Sequence, residues 1–105
     1  MTTIFKRPAA RRDLIQHYVY FAGNAGIETA DRFLSRTEET LAALLAQPRM
    51  GAPLDSRHPE LANLRKWRVK DFENVLIFYL PHSRGISVVR VLYGARDWWE
   101  LLGLV

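Results

Sequence analysis

A chain of 105 residues, 49% apolar and 25% charged, has the composition of a single folded domain over residues 1–105, not of a disordered segment. It has no cysteine, which excludes disulfides and thiolate metal sites; the N-terminus lacks the apolar core of a signal peptide and no apolar run approaches membrane-spanning length, so a cytoplasmic location is expected. The net charge of +4 is unevenly placed, with Lys6, Arg7, Arg11 and Arg12 unopposed at the N-terminus and a second basic excess after residue 64, a pattern that suits phosphates or an acidic protein segment as well as a plain solvated surface.

Residues 2–7 predict a short strand with Ile4 and Phe5 on opposite faces. Pro8 suits the first turn of a helix, where its missing N–H costs nothing. From Ala9 the pattern is helical, with Leu14, Tyr18 and Phe21 on one stripe, widened by Ile15, Val19 and Ala22. Gly23-Asn24 together with Gly26 predicts the end of that helix. A second helix is expected over residues 27–46, with Ala30, Phe33, Leu34, Thr37, Leu41, Leu44 and Leu45 on one face. Gln47-Pro48 stops it. So short a break between two helices predicts an antiparallel hairpin.

Residues 48–63 read as a loop, because Pro48, Gly51, Pro53 and Pro59 interrupt regular structure. Three strands follow. Residues 64–70 alternate, with Arg65, Trp67 and Val69 on one face and Lys66, Arg68 and Lys70 on the other. After a turn at residues 71–74, the continuous apolar run 75–80 has the pattern of a central strand. Residues 81–85 form a hairpin turn and 86–93 the last strand. Residues 96–102 are left as a short terminal helix or tail. The expected fold is α+β, in the order β-α-α-β-β-β. The N-terminal helical hairpin packs on one face of an antiparallel sheet and leaves the other face partly open.

Several stretches carry a family resemblance. Residues 9–18, A-A-R-R-D-L-I-Q-H-Y, resemble the first helix of ParE toxins. Leu45-Ala46-Gln47-Pro48-Arg49-Met50-Gly51 resembles the end of their second helix, running into P-x-x-G. Leu76-Ile77-Phe78-Tyr79 is similar to the family's central strand. Residues 89–97, V-R-V-L-Y-G-A-R-D, are similar to its last strand and tail. In this order they cover almost the whole chain and mark it as similar to the ParE/RelE superfamily. The resemblance implies the toxin of a type II toxin–antitoxin module. Its partner would be a ParD-like or other small DNA-binding antitoxin, whose C-terminal segment lays a helix and an extended stretch over the toxin.

The superfamily hosts two activities, so fold alone does not decide between them. RelE-like members cut messenger RNA on the ribosome, whereas ParE-like members inhibit DNA gyrase. Cleavage needs a base for the ribose 2′-hydroxyl, cations for the phosphate transition state and an acid for the leaving oxygen. By resemblance, Lys66 and Arg68 match the basic pair of the RelE-like set, and Arg96 matches the arginine after the last strand. The central-strand arginine falls in Val75-Leu76, however, and the C-terminal tyrosine falls near Leu101-Leu102. Apolar side chains neither hold a phosphate nor transfer a proton. The resemblance therefore implies gyrase inhibition, with ribosome-dependent mRNA cleavage as the alternative, and calls for no cofactor.

The remaining candidates concern partner binding. Lys66, Arg68 and Lys70 are a cationic strip for RNA or an acidic antitoxin tail, or else a solvated face. Arg90, between valines, pairs with an acid or reaches the open face; the open face is the expectation. Arg96-Asp97 is a functional terminus or a local ion pair. Trp98 and Trp99 point different ways, so one is expected on the core and the other as an interface anchor. Trp67, Tyr18 and Phe21 are expected in the core. His17, His58 and His82 lack metal-ligand spacing.

Overall fold

The computed structural model describes residues 3–94 and 102. Strand β1 (Thr3–Lys6) leads into helix α1 (Pro8–Ala25) and helix α2 (Ile27–Ala46). Strands β2 (Ala52–Pro53), β3 (Arg65–Val69), β4 (Phe72–His82) and β5 (Gly85–Tyr93) follow, with one 3-10 turn at Pro59–Leu61. They form a five-stranded sheet in the order β1-β5-β4-β3-β2.

The strand order β2 to β5 is an antiparallel meander. β1 instead joins β5 in parallel, with Thr3 opposite Gly85 and Lys6 opposite Val88. Parallel neighbours need a crossover. Here the helical hairpin and the meander together supply it, and the sheet is mixed rather than wholly antiparallel. Gly85 makes that contact possible. Its φ is 134°, and a Cβ there would collide with the Thr3 carbonyl, so only glycine lets β1 lie this close.

α1 runs through Gly23 and Asn24 and ends at Ala25, so of the residues expected to break it only Gly26 does. The Asn24 side-chain amide donates to the Tyr20 carbonyl at 2.8 Å, and the chain turns at Gly26, with φ 98°. A glycine inside a helix costs only about 1 kcal/mol, which neighbouring turns tolerate. The β3–β4 turn is also shorter than expected. It occupies Lys70 and Asp71 alone, Asp71 adopting φ 66°, and β4 begins at Phe72. At its far end β4 takes in Pro81, opposite Ile86, and His82, opposite Gly85.

The main core lies between the hairpin and the sheet. Phe33, Leu41 and Leu44 of α2 meet Val69, Val75, Ile77, Tyr79, Ile86, Val88 and Val91. Trp67 and Phe21 pack partly against it, as expected. Tyr18 is half-buried; its hydroxyl donates across the hairpin to Asp31 at 2.9 Å instead of entering the core. Ile15 and Val19 are each 64% exposed, so α1 buries a narrower stripe than its apolar pattern suggested. Thr40, fully inside, accepts the Lys70 N–H at 3.1 Å and ties α2 to the β3–β4 turn.

A second cluster covers the opposite face. Leu61 and Leu64 from the segment between β2 and β3, with Leu102, close over Phe78 and Val89, and Leu54, Leu76, Leu80 and Leu92 pack partly around them. This face, expected to be partly open, is therefore apolar and roofed over part of its area.

Candidate functional site

The two faces of β4 alternate cleanly. Val75, Ile77 and Tyr79 look toward the helices; Leu76, Phe78 and Leu80 look the other way. Register places Lys66 opposite Phe78 and Arg68 opposite Leu76, so both cations border the apolar face away from the helices. The Arg68 guanidinium carbon lies 4.9 Å from the Trp67 ring centroid, and its Nε is 4.0 Å from the Glu73 carboxylate. With the two side chains 53% and 75% exposed, that pair contributes little to stability.

Lys70 does not continue the expected strip. The register shifts between Arg68 and Val69, and Lys70 enters the two-residue turn, where its amine points back to α2, 3.9 Å from Glu39. A β-bulge re-aims every following side chain, which is why strict alternation fails here. Two residues of the strip, not three, share the face.

Arg90 is also corrected. The expectation put it on the open face; its guanidinium instead forms a two-pronged bond to Asp13, Nε to Oδ2 at 2.7 Å and Nη2 to Oδ1 at 2.9 Å. The same carboxylate accepts the Val91 N–H at 2.9 Å. One turn further along α1, His17 Nε2 meets the Val91 carbonyl at 2.8 Å. β1 ends at Lys6, so the edge of β5 beyond Val88 lacks a neighbouring strand. Asp13 and His17, four residues apart on one helix face, take the place of that strand, one receiving a backbone donor and the other meeting a backbone acceptor. The Arg90 guanidinium beside Asp13 is held above its ordinary pKa by that hydrogen bond, against the opposing effect of burial. Asp13 and His17 were missed as a pair. The signal was present: both are polar on the same stripe as Ala10, Leu14 and Phe21.

A second polar anchor fixes the loop after α2. Tyr79 donates its hydroxyl to the Pro48 carbonyl at 2.7 Å and accepts the Gly51 N–H at 2.9 Å. Arg65 Nη1 donates to the carbonyls of Arg49 at 3.0 Å and Gly51 at 2.6 Å. Burial pushes the Tyr79 phenol above its ordinary pKa. The P-x-x-G stretch is thus held by a strand side chain on each side, a role that spacing alone did not reveal.

Chemically, the face beside Lys66 and Arg68 offers cations over an apolar floor. All four tyrosines lie elsewhere. Tyr79 is under the loop, Tyr93 is 6.4 Å from Tyr20 between ring centroids, and Tyr18 bonds α2. Arg96, Trp98 and Trp99 lie outside the described residues. Among the described residues no group of His, Asp and Glu side chains could hold a metal, and no helix is long and apolar enough to cross a membrane.

Residues 4–98 match a family model described as the ParE toxin of the type II toxin–antitoxin system, parDE. Among solved structures, a chain of a chromosomal ParDE toxin–antitoxin system from P. aeruginosa superposes with a TM-score of 0.71. The two are 18% identical, and the match covers 90% of this chain and 98% of the other, so the likeness is one of fold. No curated protein matches the sequence.

Proposed function

Because the chain belongs to the ParE toxin family of type II toxin–antitoxin systems, we propose that it poisons DNA gyrase and is neutralised by a ParD-like antitoxin. One observation carries the choice of target. The face that holds Lys66 and Arg68 has Leu76, Phe78 and Val89 at its centre and no tyrosine, while Arg90 is engaged by Asp13. RNA cleavage needs a proton-transfer pair beside its cations. A protein that acts by binding needs only complementary surface.

The test is a supercoiling assay with purified gyrase and purified toxin. Loss of supercoiling with accumulation of cleaved DNA is expected, together with induction of the SOS response in cells that express the toxin without its antitoxin. Unimpaired supercoiling in excess toxin would refute the reading.

The alternative, ribosome-dependent mRNA cleavage, draws on Lys66 and Arg68 sharing one face. Primer extension after induction separates the two. New cuts at ribosomal A-site codons that disappear in Arg68→Ala would favour cleavage, and intact messages during growth arrest would remove it.

A further inference from the structure

A groove of about 890 Å³ opens beside β2, between the anchored loop after α2, the start of β3 and the end of β4. Among the described residues, Arg49 and Arg65 line it against one acid, Asp55. Several cations elsewhere are paired with acids, as in Lys6–Glu38, Arg36–Asp71, Lys70–Glu39 and Arg90–Asp13. Arg49 and Arg65 form no ion pair among the described residues. Arg65 is also fixed in place, because its Nη1 is tied to two loop carbonyls while Nε and Nη2 remain without a partner among the described residues. A guanidinium already held in one orientation loses little entropy when it receives a carboxylate.

Gln47 and Asn63 add polar groups to the lining, and Met50, Leu54 and Pro81 supply apolar surface. Among the described residues no Phe, Tyr or Trp lines the groove, and nucleic-acid bases are generally held by stacking on such rings. A peptide that alternates acidic and apolar side chains fits better. It would be read through its side chains rather than by a backbone ladder, because Pro53 in the edge strand β2 has no N–H to offer.

We infer that this groove receives an extended acidic segment of the antitoxin, carboxylates on Arg49 and Arg65 and apolar side chains against Met50 and Leu54. The inference rests on the reading of the chain as an antitoxin-controlled toxin.

The experiment uses the full chain and a short peptide alternating glutamate with leucine, followed by titration calorimetry and amide chemical shifts. The peptide should bind, shift amides in residues 47–55 and 62–65, and weaken as salt is raised to about 0.5 M. Arg49→Glu, whose side chain makes no hydrogen bond or ion pair among the described residues, should weaken binding about tenfold or more by setting like charge against the peptide. Arg12→Glu, on exposed α1, should leave it unchanged. Equal binding of a counterpart with lysine in place of each glutamate, tighter binding of an oligothymidylate, or indifference to Arg49→Glu would overturn the inference.

The protein encoded beside this gene is then titrated against both forms. If it binds the parent chain and Arg49→Glu equally, the groove assignment falls and the toxin reading stands. If it binds neither, and expression of the parent chain leaves growth unaffected, both fall.

Discussion

Replacing Asp13 with alanine should be among the most damaging single changes outside the apolar core. The carboxylate is 7% exposed and accepts three hydrogen bonds, two from Arg90 and one from the Val91 N–H. Removing one member of a buried ion pair costs about 3–5 kcal/mol, because the other charge is left without compensation. Arg90 is 26% exposed and can turn partly toward water, which lowers that figure. The Val91 N–H, left without an acceptor at the edge of β5, adds about 1–3 kcal/mol, though not in full, since the two losses share one site. A net loss near 3 kcal/mol is expected. With an unfolding entropy of about 2.1 cal/mol/K per residue, this corresponds to a fall in Tm of about 14 °C.

The assay is urea unfolding of Asp13→Ala, Arg90→Ala and the double variant, with hydrogen exchange at Val91. Arg90→Ala should also be costly, because it leaves a carboxylate only 7% exposed without its cation, but the Val91 N–H keeps its acceptor. The double-mutant cycle should show coupling of about 2 kcal/mol, and Val91 should exchange faster only where Asp13 is lost. A cost for Asp13→Ala within about 0.5 kcal/mol, or coupling no larger than that, would refute the account of Asp13 as the edge's substitute strand.

Other predictions follow from the same contacts. Gly85→Ala forces a Cβ into the Thr3 carbonyl; it should detach β1, lower Tm and expose the N-terminal residues to limited proteolysis. Phe33→Ala removes a fully buried ring that packs on Phe21, Phe72 and His17, and should cost about 3–5 kcal/mol in urea unfolding. The raised Tyr79 pKa carries a sign: its contribution is complete below the unfolded tyrosine value of about 10 and is lost as pH rises through the higher folded value. Stability should therefore fall above about pH 10, and Tyr79→Phe, already weaker by about 1–3 kcal/mol from its lost hydrogen bonds, should show a shallower alkaline decline. Stability curves from pH 8 to about 11 check this, and parallel slopes for the two proteins would contradict it.

The element order and the identity of the central strand were legible in the residues. Periodicity placed α2 over the residues it occupies, and Ala30, Phe33, Thr37, Leu41 and Leu44 of its expected face are buried, whereas Leu45 is partly buried and Leu34 is 40% exposed. The unbroken apolar run 75–80 lies in the middle strand, buried from both sides. These are local properties, in which a period of 3.6 or 2 and an apolar run on both faces report directly on burial. Helix ends and turns were less legible, because Gly23 is a breaker only where nothing else holds the turn.

The polar contacts belonged to the tertiary structure. Asp13 and Arg90 are 77 positions apart, and only the placement of α1 against the unpaired edge of β5 makes them partners. From the sequence, Arg90 was a cation between valines, expected on the open face because nothing local to it named an acid partner. The same holds for Lys70, turned toward α2 after the register shift between Arg68 and Val69, and for Tyr79 and Arg65, whose loop partners lie 14 to 31 positions away. Local pattern determined which residues form helices and strands and which of their faces are apolar. Which polar groups meet was decided by how those elements stack, because a buried charge or backbone group takes whichever partner the packing brings within about 3 Å.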